Sequence, residues 1–178
     1  FAPISFDVSF QEIFSTWAAG GSLLLVDEMQ RRDLEGLVEL IAQQQIERLF
    51  APYIALQQLA ELMAEKPLPL PLREVITAGE QLQITPALLR WFEQMPTCTL
   101  INHYGPTESH VVTAFALTGP PATWPVLPPI GRPLPNSQIY ILDRHGQPVP
   151  LGVAGELYIG GVQVAQGYLN RPELTAER

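Results

Sequence analysis

The sequence lacks the features that mark secreted, membrane-spanning and nucleic-acid-binding proteins. It contains a single cysteine, Cys98, which permits no internal disulfide and suits a reducing cytosol. No apolar run approaches the roughly 20 residues of a membrane span. No basic cluster is longer than Arg31-Arg32, and the formal net charge is −8, so we expect neither a nucleic-acid partner nor a membrane surface.

Several common catalytic motifs are also missing. The chain has no G-x-x-x-x-G-K-S/T phosphate loop, no G-x-G-x-x-G dinucleotide turn and no G-x-S-x-G hydrolase elbow. His103, His110 and His145, with one cysteine, do not form a zinc pattern. The chain starts at Phe1 with neither an initiator methionine nor a charged leader, so we expect an internal fragment of a cytoplasmic protein.

What is present predicts an α/β fold. The chain is 47% hydrophobic and 16% charged, as globular proteins are. Short apolar runs alternate with helical periodicity, which predicts part of a doubly wound, mainly parallel sheet with helices on both faces. The predicted strands are 22–27, 48–51, 74–78 and 99–102, and the helices that precede or separate them begin near Ser9, Asp33, Pro52 and Thr85.

The first helix is predicted from the spacing of a capping box. The Ser9 hydroxyl would accept a hydrogen bond from a first-turn amide, and the Glu12 carboxylate would reach back to the amide of Ser9. The helix would run to about Ala19 and end at Gly20-Gly21. Asp7 would then lie just outside the helix, where the helix dipole favours a carboxylate.

The composition changes after residue 118. Residues 119–135 contain seven prolines, and we predict an ordered connector over 119–136. It would join the α/β unit, residues 1–118, to a small β-rich, barrel-like unit, residues 137–178. In that unit, strands 137–142 and 155–160 flank a turn and should pair antiparallel, and the tail from residue 167 shows no closing element.

Residues 102–108, Asn-His-Tyr-Gly-Pro-Thr-Glu, form the candidate ligand loop. Parallel strands bind ligands at their carboxyl ends, so the exits at 49–52, 78–80 and 102–108 should share one rim. Tyr104 offers a flat face, Gly105 a turn, Thr107 a hydroxyl and Glu108 a hard oxygen ligand, the set that a nucleotide triphosphate with a divalent cation needs. The alternative is an ordinary loop with a half-buried tyrosine and a solvated glutamate.

Three motifs in order carry a family resemblance. They are Phe-Asp-Val-Ser at 6–9, Asn-His-Tyr-Gly-Pro-Thr-Glu at 102–108, and Gly-Glu-Leu-Tyr-Ile-Gly-Gly at 155–161 followed by Val-Ala-Gln-Gly-Tyr-Leu at 164–169. The chain resembles adenylation domains of non-ribosomal peptide synthetases, within the AMP-binding superfamily that also contains acyl-CoA synthetases and luciferases. Asp7 distinguishes the amino-acid-activating branch from the acyl-CoA synthetases and luciferases, because in that branch the equivalent aspartate pairs with the substrate ammonium.

The resemblance implies a two-step enzyme. An amino acid and Mg-ATP would give aminoacyl-AMP and pyrophosphate, and the acyl group would pass to the phosphopantetheine thiol of a peptidyl carrier protein that serves a condensation domain of the same synthetase. Catalytic roles would fall to Thr107, at phosphate, and Glu108, at Mg²⁺. The nucleotide would be bound by Tyr104 stacked on adenine, with Gly79, Glu80, Asn102, Gly105 and Thr107 around it.

The resemblance also assigns a substrate pocket with one anionic anchor and mostly apolar walls. The series resembles that of proline-activating domains, so L-proline or a methylproline is the specific expectation. Valine or pipecolate stays open, because one methylene is worth only about 1–3 kcal/mol. The pocket residues are Asp7, Val8, Gln11, Leu49, Ile76, Ala78, His103, Val111 and Val112.

The chain also departs from the family pattern. The phosphate loop of the family would precede Phe1, and its ribose-binding aspartate and catalytic lysine would follow Arg178. Gln166 stands where the family commonly has arginine. We therefore expect these residues alone to be inactive. Two alternatives remain, an acyl-CoA synthetase that uses a carboxylic acid without an amine, and a non-catalytic nucleotide-binding fragment.

Overall fold

The computed structural model describes residues 1–177, so Arg178, the last residue of the predicted β-rich unit, lies outside the described residues. The helices are α1 (Val8–Ala18), α2 (Glu28–Arg32), α3 (Leu34–Gln43), α4 (Tyr53–Glu65), α5 (Pro86–Glu93) and α6 (Pro172–Ala176). The strands are β1 (Arg48–Phe50), β2 (Glu74–Thr77), β3 (Thr99–Tyr104), β4 (Thr113–Leu117), β5 (Arg132–Pro133), β6 (Ser137–Leu142) and β7 (Glu156–Gly161).

The main sheet has five strands in the order β1-β2-β3-β4-β5. β1, β2 and β3 run parallel, with α4 and α5 in the connections between them. β4 and β5 are antiparallel to their neighbours. β3 reaches Tyr104, two residues beyond its predicted end at Asn102, because β4 pairs with this extension through His103–Ala114 and Tyr104–Thr113. The predicted α/β class is confirmed, with a mixed sheet flanked by helices.

The core lies on the face of the sheet that α3, α4 and α5 cover. Val75 and Leu100 from the strands are fully buried, as are Leu56 and Leu59 from α4, and Trp91 of α5 is 1% exposed. Each such side chain contributes about 1.5–3 kcal/mol by leaving water. α1 lies on the opposite face, where Gln11 contacts His103 of β3.

Two helix starts agree with the sequence prediction. Asp33 Oδ1 accepts a hydrogen bond from Gly36 N at 3.0 Å at the start of α3. Thr85 Oγ1 accepts one from Leu88 N at 3.3 Å at the start of α5, where Pro86 occupies the first helical position. These caps satisfy amides that the first turn of a helix leaves without partners.

The capping box predicted at Ser9 and Glu12 is wrong. Helix α1 begins at Val8, so Ser9 already lies in its first turn, and the Ser9 hydroxyl donates to Phe6 O at 2.7 Å. Glu12 is 6% exposed and accepts a hydrogen bond from Ala2 N at 2.8 Å. Both side chains therefore hold the segment before the helix, and neither caps it.

The strand predicted at 22–27 is also absent from the described residues, because this run pairs with no neighbour. Leu23, Leu24 and Val26 instead line, together with Phe50 of β1, a cavity of about 780 Å³. The chain then forms the unpredicted helix α2. Its capping box is complete, since Asp27 Oδ1 accepts from Gln30 N at 2.8 Å and Gln30 Oε1 from Asp27 N at 2.9 Å.

The proline-rich segment 119–136 is ordered against the core. It forms a 3₁₀ turn at Pro121–Thr123, and the ring of Trp124 packs on that of Phe92 with centroids 5.2 Å apart. Val126 O accepts a hydrogen bond from Ile84 N at 2.8 Å, and β5 joins the edge of the main sheet. The segment thus runs across the α5 side of the sheet before the chain leaves for β6.

β6 and β7 form the predicted antiparallel pair, in register from Ser137–Gly161 to Leu142–Glu156. Asp143 begins the turn after β6, and its Oδ1 accepts from His145 N at 2.8 Å and Gln147 N at 2.9 Å. The tail contains the short helix α6, which was not predicted. Among residues 1–177 we find no helix with both the length and the apolar content needed to cross a bilayer.

Candidate active site

The carboxyl ends of β1, β2 and β3 open on one rim of the sheet, as predicted, because these strands run parallel. The chain leaves the rim at Ala51-Pro52, at Ala78-Gly79 and at Gly105-Pro106. Most of the predicted site residues lie at or next to these three exits.

Strand β3 divides the rim into two sides, since successive residues of a strand point to opposite faces. Leu100 belongs to the core under α4 and α5, and Asn102 and Tyr104 share its face. His103 points to the other face, where it meets α1. On β3 itself, the residues predicted for the nucleotide, Asn102 and Tyr104, and the residue predicted for the amino acid, His103, therefore lie on opposite faces.

On the α1 side, Gln11 Nε2 lies 2.8 Å from His103 Nδ1. Burial, together with the nearby His110, lowers the pKa of the His103 imidazole. A neutral imidazole whose Nδ1 accepts a hydrogen bond from the Gln11 amide fits this contact. Ile76 shares the face, because it pairs in register with Ile101, two residues before His103. The structure thus brings Gln11, Ile76 and His103 to one side of the sheet.

Leu49 lies apart from this group. The register pairs Leu49 with Val75, and both belong to the core on the opposite face. Phe50 is the β1 residue that pairs with Ile76. The alternation of β1 therefore does not bring Leu49 to the face that carries Ile76 and His103.

Asp7 and Val8, both half-buried, stand at the start of α1. Asp7 was expected outside the helix, but it occupies the N-cap position because α1 begins at Val8, and its side chain caps no amide of the helix. Its carbonyl oxygen accepts the first helical hydrogen bond, from Phe10 N at 2.9 Å. The carboxylate lies at the positive end of the helix dipole and is not used as a cap.

The loop from Gly105 to Val112 closes the α1 side. A Cβ at Gly105 would lie 1.7 Å from His110 O, so two backbone segments touch where only glycine fits. Val111 and Val112 are 6% and 0% exposed, and Val112 N donates to Tyr104 O at 2.8 Å. This arrangement gives the loop an apolar, closely packed wall.

On the opposite side, Tyr104 is half-buried and Asn102 is 5% exposed. Asn102 Nδ2 donates to Pro129 O at 3.0 Å, so the amide predicted to edge the base also holds the connector. Gly79, with φ +86°, turns the chain after β2, and the side chain of Glu80 is exposed beyond it.

Thr107 is exposed, whereas Glu108 is half-buried and joined to the β-rich unit. The hydroxyl of Tyr168 donates to Glu108 Oε1, and Ala165 N donates to Glu108 O at 2.7 Å. Within residues 1–177, no group of three or more His, Cys, Asp or Glu could hold a metal ion. These side chains could therefore bind Mg²⁺ only together with nucleotide phosphates and water, which would supply most of the ligands of the ion.

Two residues near the site were not assigned from the sequence, His110 and Tyr168. His110 contacts Asp7 through its Nε2, which lies 3.1 Å from Asp7 O. This contact depends on a left-handed backbone at His110, φ +56°, for which the sequence carries no signal. Tyr168 lay within a recognised motif, but its pairing with a glutamate 60 residues earlier could not be inferred.

Comparison with known proteins identifies the family. Residues 1–169 match the AMP-binding enzyme family. The chain is 45% identical over 175 residues to gramicidin S synthase 2 of Brevibacillus brevis, covering 98% of the chain and 4% of that protein. It is 46% identical over 175 residues to tyrocidine synthase 2 of Brevibacillus parabrevis, covering 98% and 5%. With malpibaldin synthetase of Mortierella alpina the identity is 42% over 175 residues, covering 98% and 3%.

The chain thus spans between 3% and 5% of the length of these relatives. The match nevertheless covers nearly all of this chain, including the rim, both sides of β3 and the loop that carries Glu108. On these findings, the chain belongs to the family of AMP-binding enzymes.

Proposed function

We propose that the chain is the central part of an amino-acid adenylation domain of a non-ribosomal peptide synthetase. The parent domain converts an amino acid and Mg-ATP to aminoacyl-AMP and pyrophosphate. The aminoacyl group then passes to the phosphopantetheine thiol of a peptidyl carrier protein, next to a condensation domain of the same synthetase. The two-sided strand β3 is the main support, because it offers separate faces to two reactants at one rim.

Asp7 is the proposed anchor for the substrate ammonium. Its carboxylate stands at the start of α1 and is not used to cap the helix. Two opposite charges about 4 Å apart gain about 4 kcal/mol at an effective dielectric constant of about 20. An amine-free carboxylic acid would leave this carboxylate with no partner in the substrate, so the position favours an amino acid.

The substrate proposed is L-proline or a methylproline. Val111 and Val112 form a buried apolar wall, and burial, together with the nearby His110, lowers the pKa of His103, which favours the uncharged form of the ring that contacts Gln11. No cation faces the pocket from this pair, so an acidic side chain would be buried without a counter-charge, which is costly. A small apolar ring with a secondary ammonium satisfies these conditions.

On the other side, Tyr104 is proposed to stack on adenine beside Asn102, Gly79 and Glu80. Thr107 and Glu108, at the end of the loop, would meet the phosphates and Mg²⁺. Chemistry of this kind depends on holding the amino-acid carboxylate in line with the α-phosphate and neutralising the charge that develops there. When bound, Mg²⁺ would supply that neutralisation, and the residues of the chain would supply the orientation.

The test is amino-acid-dependent exchange of pyrophosphate into ATP by the parent protein, across a panel of amino acids. We expect L-proline to be preferred over valine by about tenfold or more. Preference for an unrelated amino acid would remove the pocket assignment while leaving the adenylation proposal intact. Absence of exchange with every amino acid would remove both.

Asp7→Asn provides the sharper comparison, because it keeps the size of the side chain and removes its charge. We expect the KM for the amino acid to rise by two orders of magnitude or more, in proportion to a lost ion pair, and the KM for ATP to stay unchanged. Unchanged KM values for both substrates would favour an acyl-CoA synthetase acting on an acid without an amine.

A further inference from the structure

His110 links the start of α1 to the loop from Gly105 to Val112. Val111 N donates a hydrogen bond to His110 Nδ1 at 2.7 Å, so this ring nitrogen carries no proton. In the neutral ring the proton is then on Nε2, which lies 3.1 Å from Asp7 O and donates to it. One imidazole therefore joins two backbone groups that are 104 positions apart in sequence.

The backbone around the two hydrogen bonds of His110 is closely packed and has little room to move. His110 holds a left-handed backbone, φ +56°, a conformation that His and Asn adopt more readily than most residues. Its carbonyl oxygen lies against Gly105 so closely that a Cβ there would be 1.7 Å away. Asp7 O also accepts a hydrogen bond from Phe10 N at 2.9 Å, so the imidazole donates to a carbonyl group of the first turn of α1.

The two groups that His110 joins belong to residues proposed to contact the amino acid. Asp7 is the proposed ammonium anchor, and Val111 is part of the buried apolar wall, 6% exposed. His110 itself is half-buried and is not among the residues assigned to the pocket. A substitution that removes the imidazole would therefore break the link between anchor and wall without removing a pocket side chain.

We propose that His110 is a positioning residue for substrate selection, which sets the separation between the Asp7 carboxylate and the Val111-Val112 wall. The proposal rests on the proposed function. It implies that His110 controls affinity for the amino acid and not for ATP, because His110 bonds Asp7 and Val111, both proposed to contact the amino acid, whereas the side chains of Asn102 and Tyr104 point to the face of β3 opposite His103.

Two substitutions separate the contributions of the two hydrogen bonds. Asn at position 110 tolerates the left-handed backbone and can still accept from Val111 N, but it is too short to reach Asp7 O. Gly tolerates the backbone and removes both bonds. In pyrophosphate exchange by the parent protein, we expect the KM for the amino acid to rise about fivefold in His110→Asn and tenfold or more in His110→Gly. The KM for ATP should stay within about twofold of the wild type.

His145→Gly is the matched control, because His145 lies exposed in the turn after β6. It should leave both KM values unchanged. A purely structural role for His110 would lower the amount of active enzyme, and hence kcat, with both KM values constant; that result overturns the proposal. So would a parallel rise in the KM for ATP. If His110→Gly does not fold, His110→Asn decides alone. Failure of the wild type to catalyse exchange would instead refute the proposed function.

Discussion

Two buried polar side chains fasten the proline-rich connector to the sheet. Asn102 Nδ2 donates to Pro129 O at 3.0 Å, and Thr113 Oγ1 donates to Ile130 O at 2.7 Å. Asn102 and Thr113 are 5% and 2% exposed, whereas Pro129 and Ile130, whose carbonyl groups accept these hydrogen bonds, are exposed residues. The connector is therefore held from the sheet side, at the edge of the proposed nucleotide site.

Thr113→Val removes one fastening with almost no change in side-chain volume. A hydrogen bond of this kind contributes about 1 kcal/mol net, because the exposed acceptor can turn to water when its partner is lost. We expect local opening of the connector to become about fivefold more frequent in Thr113→Val. Asn102→Ala should increase the frequency of opening somewhat more than Thr113→Val does, since it also leaves a small cavity.

Hydrogen–deuterium exchange of the parent protein measures this opening. Ile84 N donates to Val126 O at 2.8 Å and Leu134 N to Val112 O at 2.8 Å, so peptides that contain these amides report on the docked connector. Unchanged exchange at both amides in Thr113→Val would refute the reasoning. The pair also tests the nucleotide assignment, since only Asn102→Ala should raise the KM for ATP. An equal rise in both variants would show that Asn102 acts through the connector alone.

Other predictions concern single contacts. Tyr168→Phe removes the hydroxyl that donates to Glu108, so pyrophosphate exchange should need several-fold more Mg²⁺, while Tyr140→Phe on the exposed face of β6 should not change it. Burial lowers the pKa of His103 from 6.5, so as the pH falls the unfolded chain takes up a proton at this histidine before the folded chain does. The free energy of unfolding should therefore be highest above about pH 6.5 and decrease below it. Thermal unfolding should show a smaller decrease in His103→Asn. Burial raises the pKa of the Cys98 thiol to about 12; iodoacetamide at about pH 8 should alkylate it in urea but not in the native protein, and rapid native alkylation would contradict this.

Local signals predicted much of the fold. The caps at Asp33 and Thr85, and the strands β1 and β3 that follow the helices they begin, depend on residues close in sequence, so the pattern was sufficient. The Ser9 capping box failed because a serine with a glutamate three residues later satisfies the same spacing wherever a helix starts nearby. Its real partners, Phe6 O for Ser9 and Ala2 N for Glu12, precede the helix.

The shared rim was predictable from the exits of the parallel strands, whereas the contacts between residues distant in sequence were not. The parallel register brought Ile76 and His103 to one side, but the same register turned Leu49 to the core face, a detail of pairing that sequence alone does not encode. The contacts of His110 with Asp7 and of Tyr168 with Glu108 join residues more than 50 positions apart. Such contacts follow only from the tertiary arrangement.

The alternation of β3 has a consequence for how such a domain can diversify. Because His103 lies on one face and Asn102 and Tyr104 on the other, substitutions on the proposed amino-acid side need not disturb the groups on the proposed nucleotide side. In a library randomised at Ile76 and His103, every member would keep the residues of the proposed nucleotide side unchanged. Under the proposed function, neighbouring codons of one strand can thus be subject to unrelated selection pressures, so selectivity can evolve while the activating chemistry stays constant.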